Sequence, residues 1–403
     1  MSTLRLSTAG ESHGPAEVCV LEGIPAGLTV TAADIDIDLA RRQKGYGRGG
    51  RMAIETDRCR FLAGVRLGRT LGTPICIVVE NQDHSNWLAV MSPEHPADEP
   101  AAASDRVTIP RPGHADLSGL AKYGHEDIRD VLERASARET VGRVAGGAVC
   151  KLLLSEMGVT VRGRVISIGT ATADVSADLT RPNDIDWAAV AASPVGCDDP
   201  ILAGAMCEQI DRAREAGESL GGVFEIWCWG LCPGLGGYGR PQDRLDGRLL
   251  GALGSIPAIK GVEIGEGFAN AGRIGSLVHD AITVMDDDRG AWISRKTNRA
   301  AGIEGGMTTG MPVVIRAAMK PIPTLTAPLP SVDVSTLQPV AAHVERSDVA
   351  AVPAARVVGE AMAAVTLAEA YLRKFGGDSL RQLRASVLAY EGALEERRLW
   401  RRS

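Results

Sequence analysis

Aromatic side chains make up only 4% of this chain, which removes the stacking platforms on which single-stranded nucleic acid is held. There is no surplus of positive charge either. The formal net charge is -6, so nucleic acid and anionic lipid gain no general attraction, and any anion site must be a local concentration of cations. No apolar run approaches the ~18 residues of a membrane span. Met1–Gly14 lacks the charged-then-apolar pattern of a leader. These absences lead us to expect a soluble, unprocessed, cytoplasmic protein that binds neither nucleic acid nor membrane. Of the eight cysteines (19, 59, 76, 150, 197, 207, 228 and 232), only Cys228 and Cys232 are close. No His or second Cys pair stands beside them to complete a metal site. Reduced thiols packed as small hydrophobes in a cytosolic protein are expected, with no metal.

Glycine, by contrast, is abundant at 47 residues, and 45% of the chain is apolar, enough for a large core. Strand-like runs at Val18–Leu21, Ile75–Val79, Val159–Ile168, Val223–Trp229 and Met311–Met319 alternate with helical stretches. The clearest helix is expected over Glu126–Met157, where Ile128, Val131, Leu132, Ala135, Val149, Leu152 and Leu153 recur at three- and four-residue steps. A second is expected over Val357–Lys374, stopped by Gly376 and Gly377. The stretch 91–105 reads as a surface loop, Pro321–Pro339 with its five prolines as irregular, and 393–403 as a solvated basic tail. The fold class is α/β (α+β), and strand order is not readable.

Five segments set Gly or Pro beside His, Arg or Asp, a pattern that lets backbone approach a ligand while a side chain reaches it. Gly10–Gly14 frames Ser12 and His13, an imidazole able to exchange a proton near neutral pH. Arg41–Arg51 holds five cations in eleven residues with no acid. A solvated basic loop is the plain reading, but the interleaved glycines favour an anion site built on bidentate arginine. Arg111–Asp116 sets a permanent cation three residues from His114, a pairing suited to binding and protonating a leaving phosphate. There, Asp116 either orients His114 or caps a turn. On a continuous helix, Arg134 and Arg138 would share a face while Ser136 points elsewhere; an exposed helix with a local Arg–Glu pair is the alternative. Lys320–Thr324 and Arg346–Asp348 form the fifth group, for which a surface ion pair is the plain account.

Taken together and in this order, these segments resemble chorismate synthase. The resemblance rests on GESHG, the RR–GYGRG–R stretch, RPGHAD, KYG at Lys122–Gly124 and RASARET. It continues through IKGVEIG, GIEGGMTTG, KPIPT, ERSD and KFGGD, from about Thr8 to Ser379. It implies a 1,4-elimination of phosphate from 5-enolpyruvylshikimate 3-phosphate, using reduced FMN without net redox change and NADPH as a source of reducing equivalents. It casts His13, His114 and Asp348 as catalytic: His13 toward the reduced flavin, His114 toward the departing phosphate, Asp348 toward the flavin N5 region. It assigns Ser12, Met52, Arg111, Ser136 and Arg138 to substrate, and Arg42 and Arg48 to substrate or NADP. It assigns FMN to Arg134, Ala135, Ser136, Pro257, Ala258, Gly305, Lys320, Pro321, Ile322, Pro323, Thr324 and Arg346. Pro257 departs from the Gln or Asn common in the family, which removes one side-chain hydrogen bond there. The remaining histidines, 84, 95, 125, 279 and 343, are expected to be structural or on the surface. The resemblance further implies one domain over 1–403, a sandwich with helices between antiparallel sheets, and a homotetramer.

Two other readings remain open. An ordinary NADPH-dependent flavin oxidoreductase is disfavoured because no G-x-G-x-x-G turn leads from a strand into a helix. A phosphate- or RNA-binding module on Arg41–Arg51 is disfavoured by net charge and aromatic poverty.

Overall fold

Alternating burial along short β-prone runs builds two antiparallel sheets. The structure is a computed structural model that describes residues 4–49, 56–94, 106–174, 179–345 and 347–402. The first sheet has the order Arg5–Ala9, Ala16–Glu22, Ile75–Glu80, Cys59–Ala63. In Ala16–Glu22 the buried positions are Glu17, Cys19 and Leu21, one face at period two. The second sheet has the order Ile259–Ile264, Val313–Met319, Gly222–Trp229, Thr160–Ile168, Ala171–Thr172. All the pairings within the two sheets are antiparallel.

Between the sheets lie helices α1 (Ala32–Gln43) and α4 (Thr140–Ser155) and the long helix Val352–Phe375, so the expected sandwich is the fold observed. Close approach is possible because α4 carries Gly146 and Gly147. A Cβ on Gly146 would lie 2.4 Å from Leu6 Cδ1 in the first sheet, and one on Gly147 would lie 2.3 Å from Ala361 Cβ on the long helix. One buried carboxylate ties this layer to the second sheet. Glu360, fully buried, accepts from Arg41 (2.6 and 2.7 Å), from Lys151 (2.9 Å) and from the backbone N–H of Gly163 (2.9 Å). Burial alone would raise its pKa, but Lys151, Arg41 and Arg356 hold the carboxyl well below its ordinary range. The resulting apolar core extends from Leu4 to Val387.

Several expectations need correction. The helix expected over Glu126–Met157 is broken into α3 (Arg129–Ala135), a 3₁₀ turn Ala137–Glu139 and α4. Ser136 is extended (φ -62, ψ 147) and its hydroxyl accepts from the Arg138 N–H, starting the next segment. The second helix begins earlier than expected, at Val352, with Pro353 in its first turn. Pro321–Pro339 is not wholly irregular, since Pro330–Val332 pairs with Pro339–Ala341. The basic tail is tied down: helix Leu380–Glu396 runs into it, Arg401 bonds Asp287, and Arg402 bonds Glu391 and the Met157 carbonyl. Within 91–105, residues 95–105, His95 among them, lie outside the described residues, and Met91–Glu94 are largely exposed. Six of the eight thiols are buried, and Cys76 and Cys207 are half-buried. No helix among the described residues is long and apolar enough to cross a membrane.

Two glycine substitutions test the central contact. Gly147→Ala gains helix propensity of up to ~1 kcal/mol but overpacks Ala361, and a net loss of about 1–2 kcal/mol is expected. Gly251→Ala, on helix Leu245–Gly254 with open space around the new methyl, is expected to gain about 0.5–1 kcal/mol. Urea midpoints that move in the same direction for both variants would contradict the close approach of the two helices.

Candidate active site

Packing two buried arginines near one another requires a counter-charge, and Asp57 supplies it. Arg42 Nη2 donates to Asp57 Oδ2 (2.8 Å) and Arg138 Nη1 to Asp57 Oδ1 (2.6 Å), with all three side chains buried. Burial would raise the Asp57 pKa, but the two guanidinium groups hold it below the ordinary carboxylate range. Arg42 is itself pushed downward, first by burial and then by Arg138 and Arg48, against the pull of Asp57. Arg138 Nε also donates to Asn81 Oδ1 (2.8 Å), and Asn81 Nδ2 donates to the carbonyls of Glu11 (3.1 Å) and Gly14 (2.8 Å). The basic stretch therefore reaches the His13 loop through one buried asparagine.

The break after α3 brings Ser136 onto the same loop, where its hydroxyl lies 3.1 Å from Ser12 Oγ. Glu133, one turn earlier on α3, accepts from His13 N–H (2.8 Å) and faces its Nδ1 with both oxygens (2.9 and 3.0 Å). Trp87 stacks on the imidazole with ring centroids 4.0 Å apart. His84 Nδ1 lies 2.9 Å from the His13 carbonyl. Arg134 does not share a helix face with Arg138. It donates to Gly10 O (3.0 Å), Thr8 O (2.9 Å) and Thr8 Oγ1 (2.7 Å), bracing the end of the first strand.

A second group forms around His114. Asp116 begins α2 (Asp116–Tyr123) and is buried. It accepts from Arg111 N–H (3.0 Å) and Nε (2.9 Å), and its Oδ1 makes a short hydrogen bond with His114 Nδ1. Arg111 Nη2 lies near both His114 Nδ1 (3.0 Å) and Asp116 Oδ1 (3.1 Å). A guanidinium only donates and a carboxylate only accepts, so an Nδ1–H directed at Asp116 satisfies all three groups. Asp116 therefore orients His114. Although buried, it is held well below its ordinary range by the hydrogen bonds from His114 and Arg111. Arg111 Nη1 also meets Glu345 (3.1 Å), and Lys320 Nζ donates to the Gly113 carbonyl (3.0 Å), which docks the KPIPT loop on the RPGHAD loop.

A third group pairs Asp348 with the basic stretch, through Arg48 Nη1 (2.6 Å) and the Gly49 N–H (2.7 Å). Ser255 accepts from Arg143 on α4 (2.9 Å), which brings the Pro257-Ala258 turn to the start of that helix, and Ala258 adopts φ 66. Gly305 sits at a hairpin turn whose next residue accepts from Leu245 N–H. It thus lies at one end of helix Leu245–Gly254 and Ala258 just beyond the other, about 15 Å of helix between them. Met52 and Arg346 lie outside the described residues. The helix pair α2–α3, between His114 and Ser136, frames an open groove of about 470 Å³ that Arg134, Ala135, Lys122 and His125 help to line.

Asp57, Asn81, Trp87, Glu133 and Glu345 had escaped sequence reading. None is framed by glycine, and each acts through a partner distant in sequence. Glu133 alone had a local signal, as the acid beside Arg134. His84, expected to be structural or on the surface, contacts the His13 carbonyl. His125 lies 3.6 Å from Asp130 and His343 3.5 Å from Glu345, both partly exposed.

The chorismate synthase family profile matches residues 4–372. A chorismate synthase of Desulforudis audaxviator is 56% identical over 381 residues, covering 94% of this chain and 95% of the relative. One from Trichlorobacter lovleyi is 51% identical, covering 98% of this chain and all of the relative. A crystal structure of chorismate synthase superposes with a TM-score of 0.79 at 38% identity, over 98% of this chain and 99% of the other.

One buried group gives a pH test. Glu17 is 1% exposed, its carboxylate has no hydrogen-bond partner among the described residues, and Arg134 stands 3.6 Å away. Burial pushes its pKa from 4.5 to about 7, against the opposing pull of Arg134 and Arg138. A raised acid stabilises the fold fully below pH 4.5, and that contribution is lost as pH rises to about 7. The stability of the unmodified protein relative to Glu17→Gln is expected to fall by roughly 3 kcal/mol between pH 4 and 8. A pH-independent difference in urea unfolding would contradict a neutral buried acid.

Proposed function

We propose that this chain, which belongs to the chorismate synthase family, carries out the 1,4-elimination of phosphate from 5-enolpyruvylshikimate 3-phosphate with reduced FMN. Membership makes it an enzyme, a carbon–oxygen lyase acting on phosphates. The observation that carries the finer reading is the pair of carboxylate-clipped imidazoles, His13 on Glu133 and His114 on Asp116, beside clustered arginines. A substrate with one phosphate and two carboxylates calls for such a cluster. Arg42, Arg48, Arg111 and Arg138 would bind it with Ser12, Ser136 and Met52. In a site shielded from water their fixed charges act more strongly than in solution.

The residues fit a flavin mononucleotide. The groove beside Arg134 and Ala135 is of a size suited to a small cofactor and carries Lys122 and Arg134 on its wall. Lys320 is desolvated by burial and presses on the His114 loop. Arg134, Ala135, Ser136, Pro257, Ala258, Gly305, Lys320, Pro321, Ile322, Pro323, Thr324 and Arg346 would hold the cofactor. Gly305 and Ala258, separated by a helix, would touch different parts of it. Reduced FMN, when bound, lends electron density to the allylic system and recovers it, so the elimination needs no net reductant. NADPH would serve only as the source of reducing equivalents, with Arg42 and Arg48 within its reach.

In this reading His114, held by Asp116 and flanked by Arg111, delivers a proton to the leaving phosphate through Nε2. His13 exchanges a proton with the reduced cofactor, and Asp348, steadied by Arg48 and Gly49 N–H, accepts one near the flavin N5. The chain would work as one domain over 1–403, supported by a core that runs from Leu4 to Val387. Homotetramer assembly is supported by exposed apolar residues on one stretch, Phe268 (80% exposed), Ile274, Leu277, Ile282 (72%) and Val284. A cytoplasmic location accords with the eight free thiols.

An anaerobic assay with dithionite-reduced FMN and the enolpyruvyl phosphate substrate tests the proposal. Chorismate and phosphate should form with no net consumption of reductant, whereas NADPH oxidation matched to product would point to an ordinary oxidoreductase. His13→Ala and His114→Ala should each lower turnover by roughly 10²–10⁴-fold with folding intact. Asp348→Asn should slow chemistry more than it weakens FMN binding. Near-normal turnover in both histidine variants would remove them from the reaction.

A further inference from the structure

We infer that Glu133 is the positioning residue for His13, fixing its neutral tautomer so that proton exchange with bound molecules runs through Nε2. This rests on the reading of His13 as a proton-exchanging residue. Glu133 is 3% exposed and engages the His13 loop at three points. Its carboxylate takes the backbone N–H (2.8 Å), the same carboxylate faces ring Nδ1 (2.9 and 3.0 Å), and its carbonyl accepts the neighbouring Ser12 N–H (3.0 Å). The carboxylate takes a single backbone N–H, that of His13, and both of its oxygens also converge on the ring, which bracing the loop alone would not require. Trp87 covers one ring face at 4.0 Å, so the imidazole cannot rotate without losing both contacts.

Among the described residues, charged and titratable groups reach the ring from three elements. Arg129 and Glu133 project from α3, with Arg129 Nη1 3.6 Å from Glu133 Oε1 and its guanidinium 5.3 Å over the Trp87 ring. His84 comes from the 3₁₀ turn Gln82–Asn86. Glu11 lies on the histidine's own loop. Burial would raise the Glu133 pKa, but the bonds from His13 and the charge of Arg129 lower it, so the acceptor is an anion at neutral pH. An anionic acceptor on Nδ1 requires a proton there, which leaves the lone pair of the neutral ring on Nε2. Proton balance follows: Nδ1 keeps its hydrogen throughout, and Nε2 alone gains and loses one.

Glu133 lies 120 residues from His13 in sequence. The break at Ser136 makes the pairing possible, because it ends α3 one turn after Glu133 and turns Arg138 away toward Asp57. An unbroken helix from Glu126 to Met157 would not allow Ser136 to meet Ser12 while Arg138 meets Asp57.

The test reads the tautomer directly. In the full chain carrying ¹⁵N-labelled histidine, long-range ¹H–¹⁵N correlation distinguishes a protonated from a bare ring nitrogen, with His13 assigned by its loss in His13→Asn. At a pH where the ring is neutral, the unmodified protein should show Nδ1 protonated and Nε2 bare; the opposite tautomer would overturn the inference without any Glu133 variant. Glu133→Ala should return the ring toward the Nε2–H form favoured by free histidine. It should also lower kcat for the elimination roughly 10- to 100-fold while KM changes less than about threefold. Glu133→Gln, whose amide oxygen still accepts from Nδ1–H, should retain the tautomer and recover part of kcat. An unchanged tautomer in Glu133→Ala would refute a positioning role even if activity fell. Should the unmodified protein fail to perform the elimination, the functional reading falls, while the tautomer still decides the role of Glu133.

Discussion

Guanidinium groups repel one another, and holding two of them side by side in the interior requires an anion between them. In this chain Asp57 solves that problem. It takes one hydrogen bond from Arg42 and one from Arg138 and is itself buried. Removing one partner of such a buried group leaves uncompensated charge, which typically costs about 3–5 kcal/mol, so the three side chains constrain one another strongly. The constraint then spreads through directional bonds. Arg138 holds Asn81, Asn81 holds the carbonyls on both sides of His13, and the His13 loop receives Ser136 and Glu133. The histidine is oriented by a sequence of contacts that begins with charge neutralisation in the basic stretch.

The helical layer makes that sequence rigid. Helices α1 and α4 and the long helix are drawn together by close packing at Gly146 and Gly147 and by the ion cluster around Glu360. Arg42 and Thr140 sit at the ends of two of these helices, so the Asp57 knot is anchored in elements whose separation is already fixed. A site on loops alone would lose geometry with each loop movement; the Asp57 group is instead held at helix ends.

What the sequence made legible follows the range of the interactions. Segments whose chemistry is local were readable: the glycine-framed His13, the Arg111–His114–Asp116 triplet and the basic run each announce themselves within a dozen residues. The sandwich was reachable only through resemblance, because strands such as Arg5–Ala9 and Ile259–Ile264 owe their existence to neighbours far along the chain. The helix expected through Ser136 shows the same limit from the other side. Apolar residues recur on both sides of the break and no Pro falls between them, and what ended α3 was a hydroxyl capping the next segment and meeting Ser12, neither visible in periodicity. Asp57 and Asn81 lacked any local motif for the same reason.

The two histidines show how one physical device can be assembled by opposite routes. Each ring presents Nδ1 to a buried carboxylate, but Asp116 lies two residues from His114 whereas Glu133 lies 120 from His13. A clip made within one loop travels with that loop, so His114 keeps its orientation wherever the RPGHAD segment goes, including toward Lys320. A clip made across the fold holds only while α3 is seated beside the first sheet. His13 is therefore oriented only in the assembled fold. The orientation of His13 is tied to the Asp57 knot, because the turn that lets Ser136 meet Ser12 is the turn that sends Arg138 to Asp57. Arginine pairing and ring orientation thus form one cooperative unit, in which the contacts that gather Arg42 and Arg138 on Asp57 also align His13.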